Sequence, residues 1–136
     1  MDRELFDRAR AVRDRAHAPY SGFRVGAAIR TEAGTVHTGA NVENVSYPEG
    51  WCAETSAIAG MIAAAASAPA RRIAAVSVVA DRIGGRLTTP CGGCRQRIAE
   101  FADADTPIDV FDPAGEGRTF RMGELLPEAF ALKEAT

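Results

Sequence analysis

Hydrophobic residues recur at helical spacing in the first segment of the chain and in short, strand-like runs in the next two. Between residues 2 and 17, apolar side chains return every three or four positions among arginines and aspartates, which predicts an amphipathic helix closed by Pro19. The runs Val25 to Thr31 and Val36 to Val42 are joined through Glu32-Ala33-Gly34, a loop typical of a β-hairpin. We therefore expect a helix followed by two antiparallel strands.

The rest of the chain alternates between predicted helices and strands. Cys52 to Ala68 is rich in alanine, isoleucine and methionine and predicts a buried helix that ends before Pro69. Ile73 to Ala80 is almost entirely apolar, which predicts a central strand covered on both faces. This interleaving predicts an α/β fold. The remaining predicted elements are a helix from about Cys91 to Ala102, strands at Ile108 to Phe111 and Arg118 to Arg121, and a short helical turn at Glu124 to Phe130.

The composition of the chain argues against several classes of protein. No linker or shift in composition divides the chain, so we expect one domain spanning residues 1–136. The 16 Lys and Arg residues against 18 Asp and Glu residues give a net charge of -2, which argues against nucleic acid as the main partner. The apolar stretch Ile58 to Ala68 is too short and too rich in alanine to span a membrane, and the N-terminus has no signal-peptide pattern. We therefore expect a cytoplasmic protein.

Three cysteines form the strongest chemical signal in the sequence. Cys52 opens one predicted helix, and Cys91 and Cys94 open another within Pro90-Cys91-Gly92-Gly93-Cys94. The positive end of a helix dipole favours a thiolate, and soft sulfur ligands suit zinc. A structural zinc site normally has four protein ligands, whereas a catalytic one has three and leaves the fourth position to water. Three cysteines with no histidine nearby therefore predict an open zinc site.

Glu54 lies two residues after Cys52, in the same predicted turn. From there its carboxylate can meet a water molecule on the metal without binding the metal itself, which is the position of a general base. Two other interpretations compete, since a C-x-x-C pair can be redox-active and buried cysteines are usually inert core residues. The C-A-E turn and the proline before Cys91 favour zinc, because zinc deaminases carry this combination.

With these motifs, the chain resembles the small homotetrameric cytidine deaminases from Pro19 to Phe130. The resemblance implies a three-layer α/β/α sandwich with a mixed sheet of about five strands, and four subunits that share the edges of their active sites. It implies one zinc ion per subunit, held by the three cysteines, and hydrolytic deamination of cytidine and 2′-deoxycytidine in pyrimidine salvage. The matching segments are Pro19-Tyr20-Ser21-Gly22-Phe23-Arg24-Val25-Gly26-Ala27, Gly39-Ala40-Asn41-Val42-Glu43-Asn44-Val45-Ser46-Tyr47, both cysteine motifs with Arg95-Gln96, and Leu125-Leu126-Pro127-Glu128-Ala129-Phe130.

The resemblance also assigns substrate contacts to individual positions. Asn41 and Glu43 match residues that hydrogen-bond the ribose, and Phe23 matches the aromatic residue that packs on the nucleoside. Ala53 matches the position whose backbone helps to hold the base. From spacing alone, Asn41 and Glu43 are equally compatible with caps of a strand end and a turn, and Phe23 with core packing.

Four further positions concern the neighbouring subunit and the surroundings of the metal. Tyr47 and Phe130 match residues that reach a neighbouring subunit's site, although Phe130 is also compatible with a simple anchor for the tail. Many relatives carry arginine directly after the C-A-E glutamate, where it donates to a cysteine sulfur, whereas this chain has Thr55. We expect charge compensation of the thiolates to fall on Arg95 and on the two helix N-termini instead.

The sequence leaves three alternative functions open. Blasticidin S deaminases share the C-A-E, P-C-G-x-C-R-Q and E-L-L-P elements, although Asn41 and Glu43 favour a plain ribose-bearing substrate. A polynucleotide deaminase is disfavoured by the acidic charge balance and by the lack of an aromatic and basic stripe. A non-catalytic zinc-stabilised interaction module would need a fourth ligand, and the sequence offers no obvious one.

Overall fold

A computed structural model describes residues 1–132 of the chain. Its strands form one sheet in the order β2-β1-β3-β4-β5, in which β3 and β4 are parallel and all other neighbours are antiparallel. The predicted mixed sheet of five strands, with the third strand at its centre, is confirmed. The strands are β1 (Val25–Thr31), β2 (Val36–Ala40), β3 (Ile73–Ala80), β4 (Pro107–Phe111) and β5 (Gly117–Arg121).

Helices cover both faces of this sheet. On one face, Leu5 and Phe6 of the first helix pack with Val79 of β3. On the other face, Met61 and Ile98 of the second and third helices join the larger cluster of buried side chains. The predicted three-layer α/β/α architecture is therefore confirmed. The helices are α1 (Arg3–Arg13), α2 (Ala53–Ala64), α3 (Gly92–Phe101) and the short α4 (Met122–Leu125), with single 3₁₀ turns at Tyr47–Glu49 and Pro69–Arg71.

Two glycines allow helices to lie unusually close to the sheet. A Cβ atom on Gly26 of β1 would lie 2.0 Å from the carbonyl oxygen of Ala9 in α1. A Cβ atom on Gly39 of β2 would lie 2.5 Å from the backbone nitrogen of Ala57 in α2. Because α2 approaches β2 so closely, its first turn is fixed against the end of the hairpin, which is where the cysteine motif begins.

The first helix is shorter than its sequence pattern predicts. The amphipathic pattern runs to residue 17, but α1 ends at Arg13. The backbone of His17 instead pairs with the chain beyond β2: its N–H donates to the carbonyl of Asn41 at 3.0 Å, and its carbonyl accepts from the N–H of Glu43 at 2.8 Å. This long-range pairing removes residues 14–17 from the helix.

The second strand and second helix also end earlier than predicted. β2 ends at Ala40 rather than Val42, because Val42 forms a pair of backbone hydrogen bonds with Trp51, at 2.9 and 2.8 Å. α2 ends at Ala64 rather than Ala68, and it is buried on one side only, with Ala59 and Gly60 exposed on the other.

The last helical turn begins two residues and ends five residues earlier than predicted, at Met122–Leu125. Its start is fixed by Glu124, whose carboxylate accepts a hydrogen bond from the backbone N–H of Arg121 at 3.0 Å. Among residues 1–132, none of the helices has the length and apolarity needed to cross a membrane.

Candidate active site

The three cysteines meet where two helices begin. Cys52 is the N-cap residue of α2, Cys91 is the N-cap residue of α3, and Cys94 lies in the first turn of α3. Neither capping thiol is used to cap its own helix. The three Sγ atoms lie within 4.8 Å of one another, and those of Cys52 and Cys91 are 3.8 Å apart. The positive ends of both helix dipoles therefore lie beside one cluster of sulfur atoms.

This cluster fits a zinc ion. Tetrahedral zinc with bonds of about 2.3 Å separates its sulfur ligands by about 3.8 Å, as found for Cys52 and Cys91. Without a cation, the neighbouring Cys52 thiol and burial raise the pKa of Cys94, and a bound divalent cation opposes that effect by favouring thiolates. Within residues 1–132, no other His, Cys, Asp or Glu side chain joins the cluster. The donor set is therefore that of a three-ligand, open zinc site.

Glu54 is buried beside this cluster. Its side chain is only 5% exposed, and its Oε2 atom lies 3.5 Å from the sulfur of Cys94, which donates to it. Burial raises the pKa of the Glu54 carboxyl above its ordinary value. A buried carboxyl group with a raised pKa, next to a metal site and open to a cavity, is suited to exchanging protons with a ligand.

Two residues of different kinds support the cysteines. The hydroxyl of Thr55 lies 3.6 Å from the sulfur of Cys94. Arg95 donates to the carbonyl of Pro90 at 2.7 Å, to the carbonyl of Leu125 at 2.7 Å and to the hydroxyl of Thr89 at 2.8 Å. All three acceptors are oxygen atoms. Arg95 thus fixes the loop before Cys91 and ties it to the end of α4, whereas the contact with sulfur comes from Thr55.

A cavity of about 270 Å³ opens onto Cys52 and Cys91. Its walls combine the first turn of α2, the loop before Cys91 and the segments on either side of the hairpin. The four predicted substrate contacts on this chain, which are Phe23, Asn41, Glu43 and Ala53, all line it together with Cys52, Glu54 and Cys91.

Asn41 and Glu43 are already hydrogen-bonded to residues at and just before the start of β1. Asn41 donates to the carbonyl of Phe23 and accepts from the N–H of Val25, both at 2.8 Å. The carboxylate of Glu43 accepts from the backbone N–H groups of Tyr20 and Ser21 at 3.0 and 3.1 Å, and from the Ser21 hydroxyl. The bond from the Ser21 hydroxyl lowers the pKa of Glu43. Asn41 therefore caps a strand end and Glu43 a turn, which is the structural role that spacing alone allowed for them. Both residues still line the cavity.

Tyr47 and Phe130 lie outside this cavity. Tyr47 is exposed in a neighbouring depression of about 290 Å³, where its ring centroid is 5.9 Å from that of Tyr20. Phe130 is also exposed, and its carbonyl accepts a hydrogen bond from the side chain of Gln96 at 3.2 Å. Neither ring lines the cavity that opens onto the cysteines of its own chain.

Several residues around the cavity do not follow from the sequence motifs. Trp51 lines the cavity and is half-exposed, and its position next to Cys52 is the one feature of the sequence that points to this. Thr88 and Thr89 also line the cavity, and the Pro90-Cys91 motif that follows them is the feature of the sequence that points to this. Nothing in the sequence around Ser21 indicates that its side chain binds Glu43.

Comparisons with known proteins agree with this geometry. Residues 1–109 match the model of the cytidine and deoxycytidylate deaminase zinc-binding region. The cytidine deaminase of Halalkalibacterium halodurans is 41% identical over 98% of this chain and 98% of its own, and that of Mycobacterium tuberculosis is 40% identical over 88% and 81%. The crystal structure of cytidine deaminase from Burkholderia pseudomallei has a TM-score of 0.84 at 37% identity, covering 96% of this chain and 99% of that one. The chain belongs to the cytidine and deoxycytidylate deaminase family.

Proposed function

We propose that this chain catalyses the zinc-dependent hydrolytic deamination of cytidine and 2′-deoxycytidine to uridine and 2′-deoxyuridine, with release of ammonia. The observation that carries the proposal is the buried Glu54 carboxylate 3.5 Å from the sulfur of Cys94, at a three-thiol cluster that opens onto a cavity. The relatives at about 40% identity, which are named cytidine deaminases, support the choice of substrate.

Cys52, Cys91 and Cys94 would hold one zinc ion per chain. When bound there, zinc lowers the pKa of water to about 7 and so makes a nucleophile available at neutral pH. Because only three ligands come from the chain, a position remains for that water. The helix dipoles of α2 and α3 and the Thr55 hydroxyl partly offset the negative charge of the three thiolates.

Glu54 carries the proton transfers in this proposal. Its carboxylate accepts a proton from the attacking water and delivers it to N3 of the cytosine ring, which makes C4 electrophilic. The resulting hydroxide adds to C4, and Glu54 then takes the remaining proton from that oxygen and delivers it to the exocyclic amine. Ammonia leaves, and the C4 carbonyl of uridine forms. Proton transfer by a positioned carboxylate of this kind contributes about 10² to 10⁴ in rate.

The nucleoside would lie between the two walls of the cavity. Phe23 packs against it, the backbone at Ala53 holds the base near Glu54, and Asn41 and Glu43 bind the ribose. The side chains of Asn41 and Glu43 retain unused hydrogen-bonding capacity for this purpose, since an amide has two donors and a carboxylate has about four acceptor sites.

We further propose that the chain is a single domain over residues 1–136 and acts as a homotetramer in pyrimidine salvage in the cytoplasm. In that assembly Tyr47 and Phe130 complete the site of a neighbouring subunit. Their exposure supports this, because side chains of this size that are 75% and 74% exposed are free to pack against another copy.

An absorbance assay for loss of the cytosine chromophore tests the proposal. Cytidine, 2′-deoxycytidine and blasticidin S are compared side by side with the zinc-loaded protein, and zinc content is measured on the same sample. We expect turnover of cytidine and 2′-deoxycytidine. Activity on blasticidin S alone would overturn the proposed choice of substrate. Inactivity of a zinc-loaded, folded protein on all three compounds would favour a non-catalytic, zinc-stabilised interaction module instead.

A further inference from the structure

Phe23 is held through both of its backbone groups by side chains. Its N–H donates to the hydroxyl of Ser21 at 2.9 Å, and its carbonyl accepts from the side-chain amide of Asn41 at 2.8 Å. Since Phe23 lies outside the regular strands and helices, these two bonds fix the wall of the cavity that it forms.

The same Ser21 hydroxyl makes a second bond, as the donor, to Oε2 of Glu43. The other carboxylate oxygen of Glu43 accepts from the N–H groups of Tyr20 and Ser21. About four acceptor sites are available on a carboxylate, so these three bonds fix its orientation and leave about one site for a ligand. One hydroxyl group therefore fixes Phe23 and Glu43 relative to each other.

We propose that Ser21 is a positioning residue for nucleoside binding, because its hydroxyl holds Phe23 and Glu43 in the arrangement that receives the sugar. The inference rests on the proposed function and adds a residue to it. In the described structure Ser21 makes no hydrogen bond to the cysteines or to Glu54 and does not line the cavity onto which they open, so it acts on binding and not on proton transfer. Preorganised groups bind more tightly because less conformational freedom is lost when the ligand arrives.

A purely local role for Ser21 makes a different prediction. Tyr20 and Ser21 belong to a turn, and Gly22, which follows it directly, has a φ of +70°. If the hydroxyl only stabilised this turn, its loss would lower thermal stability and leave the binding of nucleoside unchanged. The two roles are therefore separated by comparing KM, kcat and stability in the same variants.

The experiment compares Ser21→Ala, Ser21→Thr and Ser67→Ala with the unmodified protein, all loaded with zinc. Threonine keeps the hydroxyl, and Ser67 is an exposed serine outside both cavities. For cytidine, we expect Ser21→Ala to raise KM about tenfold with kcat within about twofold, as for the loss of about one net hydrogen bond. Ser21→Thr and Ser67→Ala should keep KM near that of the unmodified protein. Calorimetric titration with uridine, the product, should show the same order of Kd values independently of turnover.

Each failure has a distinct signature. Unchanged KM and uridine Kd in Ser21→Ala, with normal deamination of cytidine by the unmodified protein, overturn the role of Ser21 alone. An equal rise of KM in the alanine and threonine variants also overturns it, because the hydroxyl is then not responsible. An unmodified zinc-loaded protein that does not deaminate cytidine overturns the proposed function and this inference together.

Discussion

The hydroxyl of Thr55 lies 3.6 Å from the sulfur of Cys94, the fully buried member of the cysteine cluster. Both residues are within the first turn of a helix, Thr55 in α2 and Cys94 in α3. Many members of the family carry arginine, a cationic donor, directly after the C-A-E glutamate. This chain has the neutral hydroxyl of Thr55 at that position. Hydrogen bonds to metal ligands orient them and tune the affinity for the metal.

We expect Thr55→Val to lose zinc faster than the unmodified protein. Valine keeps the shape of threonine but cannot donate to the Cys94 sulfur, so affinity for zinc should fall about tenfold. Transfer of zinc to a coloured chelator measures the rate. Thr55→Ser restores the hydroxyl and should restore slow release. Equal rates in the valine and serine variants would show that the hydroxyl has no part in holding the metal.

Arg95→Gln should impair the protein through the loop that carries Cys91. The guanidinium bonds to the carbonyls of Pro90 and Leu125 are charge-assisted, and each such bond contributes about 1.5 to 3 kcal/mol. We expect a lower melting temperature, faster release of zinc and lower turnover. Arg97→Gln, an exposed arginine of the same helix, is the control and should change little. Near-normal turnover and zinc content in Arg95→Gln would contradict this role.

Asp2 links the stability of the chain to pH. Arg30 donates to its carboxylate at 2.8 and 3.2 Å, and this bond lowers the pKa of Asp2 below its ordinary value of 3.8. A lowered pKa in the folded state gives stability that is present above the ordinary pKa and is lost as pH falls through the lower, folded-state pKa.

Asp2→Asn should therefore cost about 1 kcal/mol in the free energy of unfolding at pH 7 and almost nothing in strong acid. Asparagine keeps a side-chain oxygen to cap α1, so the charge is the main change. Urea unfolding of both proteins at pH 7, 5 and 2 checks this, and comparison at the same pH cancels the loss of zinc in acid. A difference that is the same at pH 7 and pH 2 would refute the role of the charge.

Ser77 is a position where a substitution should increase the free energy of unfolding. Its hydroxyl is the one buried side-chain oxygen or nitrogen without a hydrogen-bond partner in residues 1–132. Removing an unpaired buried hydroxyl stabilises the folded state, so Ser77→Ala should raise the free energy of unfolding by about 1 kcal/mol. Ser56→Ala is the matched control and should lower it, because the Ser56 hydroxyl donates to the carbonyl of Ala40 at 3.1 Å. Chemical denaturation measures both, and destabilisation by Ser77→Ala would contradict the prediction.

The features that sequence predicts well depend on residues close together in the chain. β3 was predicted to the residue, because Ile73 to Ala80 is apolar except for Ser77 and is bounded by polar or loop residues. The cysteine cluster was predicted because its three members occupy the starts of two helices, and helix starts are marked locally by the C-A-E turn and by Pro90.

The features that were missed depend on pairing between distant residues. Helix α1 ends at Arg13 because His17 pairs with Asn41 and Glu43, which no pattern within residues 2–17 indicates. The bond from Ser21 to Glu43 joins positions 22 residues apart. The direction of the Arg95 side chain, toward Pro90 and Leu125, likewise depends on where α4 packs against the cysteine loop.

Deamination by a Glu54→Gln variant is the most direct test of the central claim that this carboxylate moves protons at an open zinc site. Glutamine preserves the shape of the side chain but cannot accept and deliver a proton as a carboxylate does. With zinc content and ammonia release from cytidine measured on the same sample, the account predicts one zinc per chain and a loss of turnover of about 10² to 10⁴. A zinc-loaded Glu54→Gln variant that releases ammonia at the rate of the unmodified protein would contradict it.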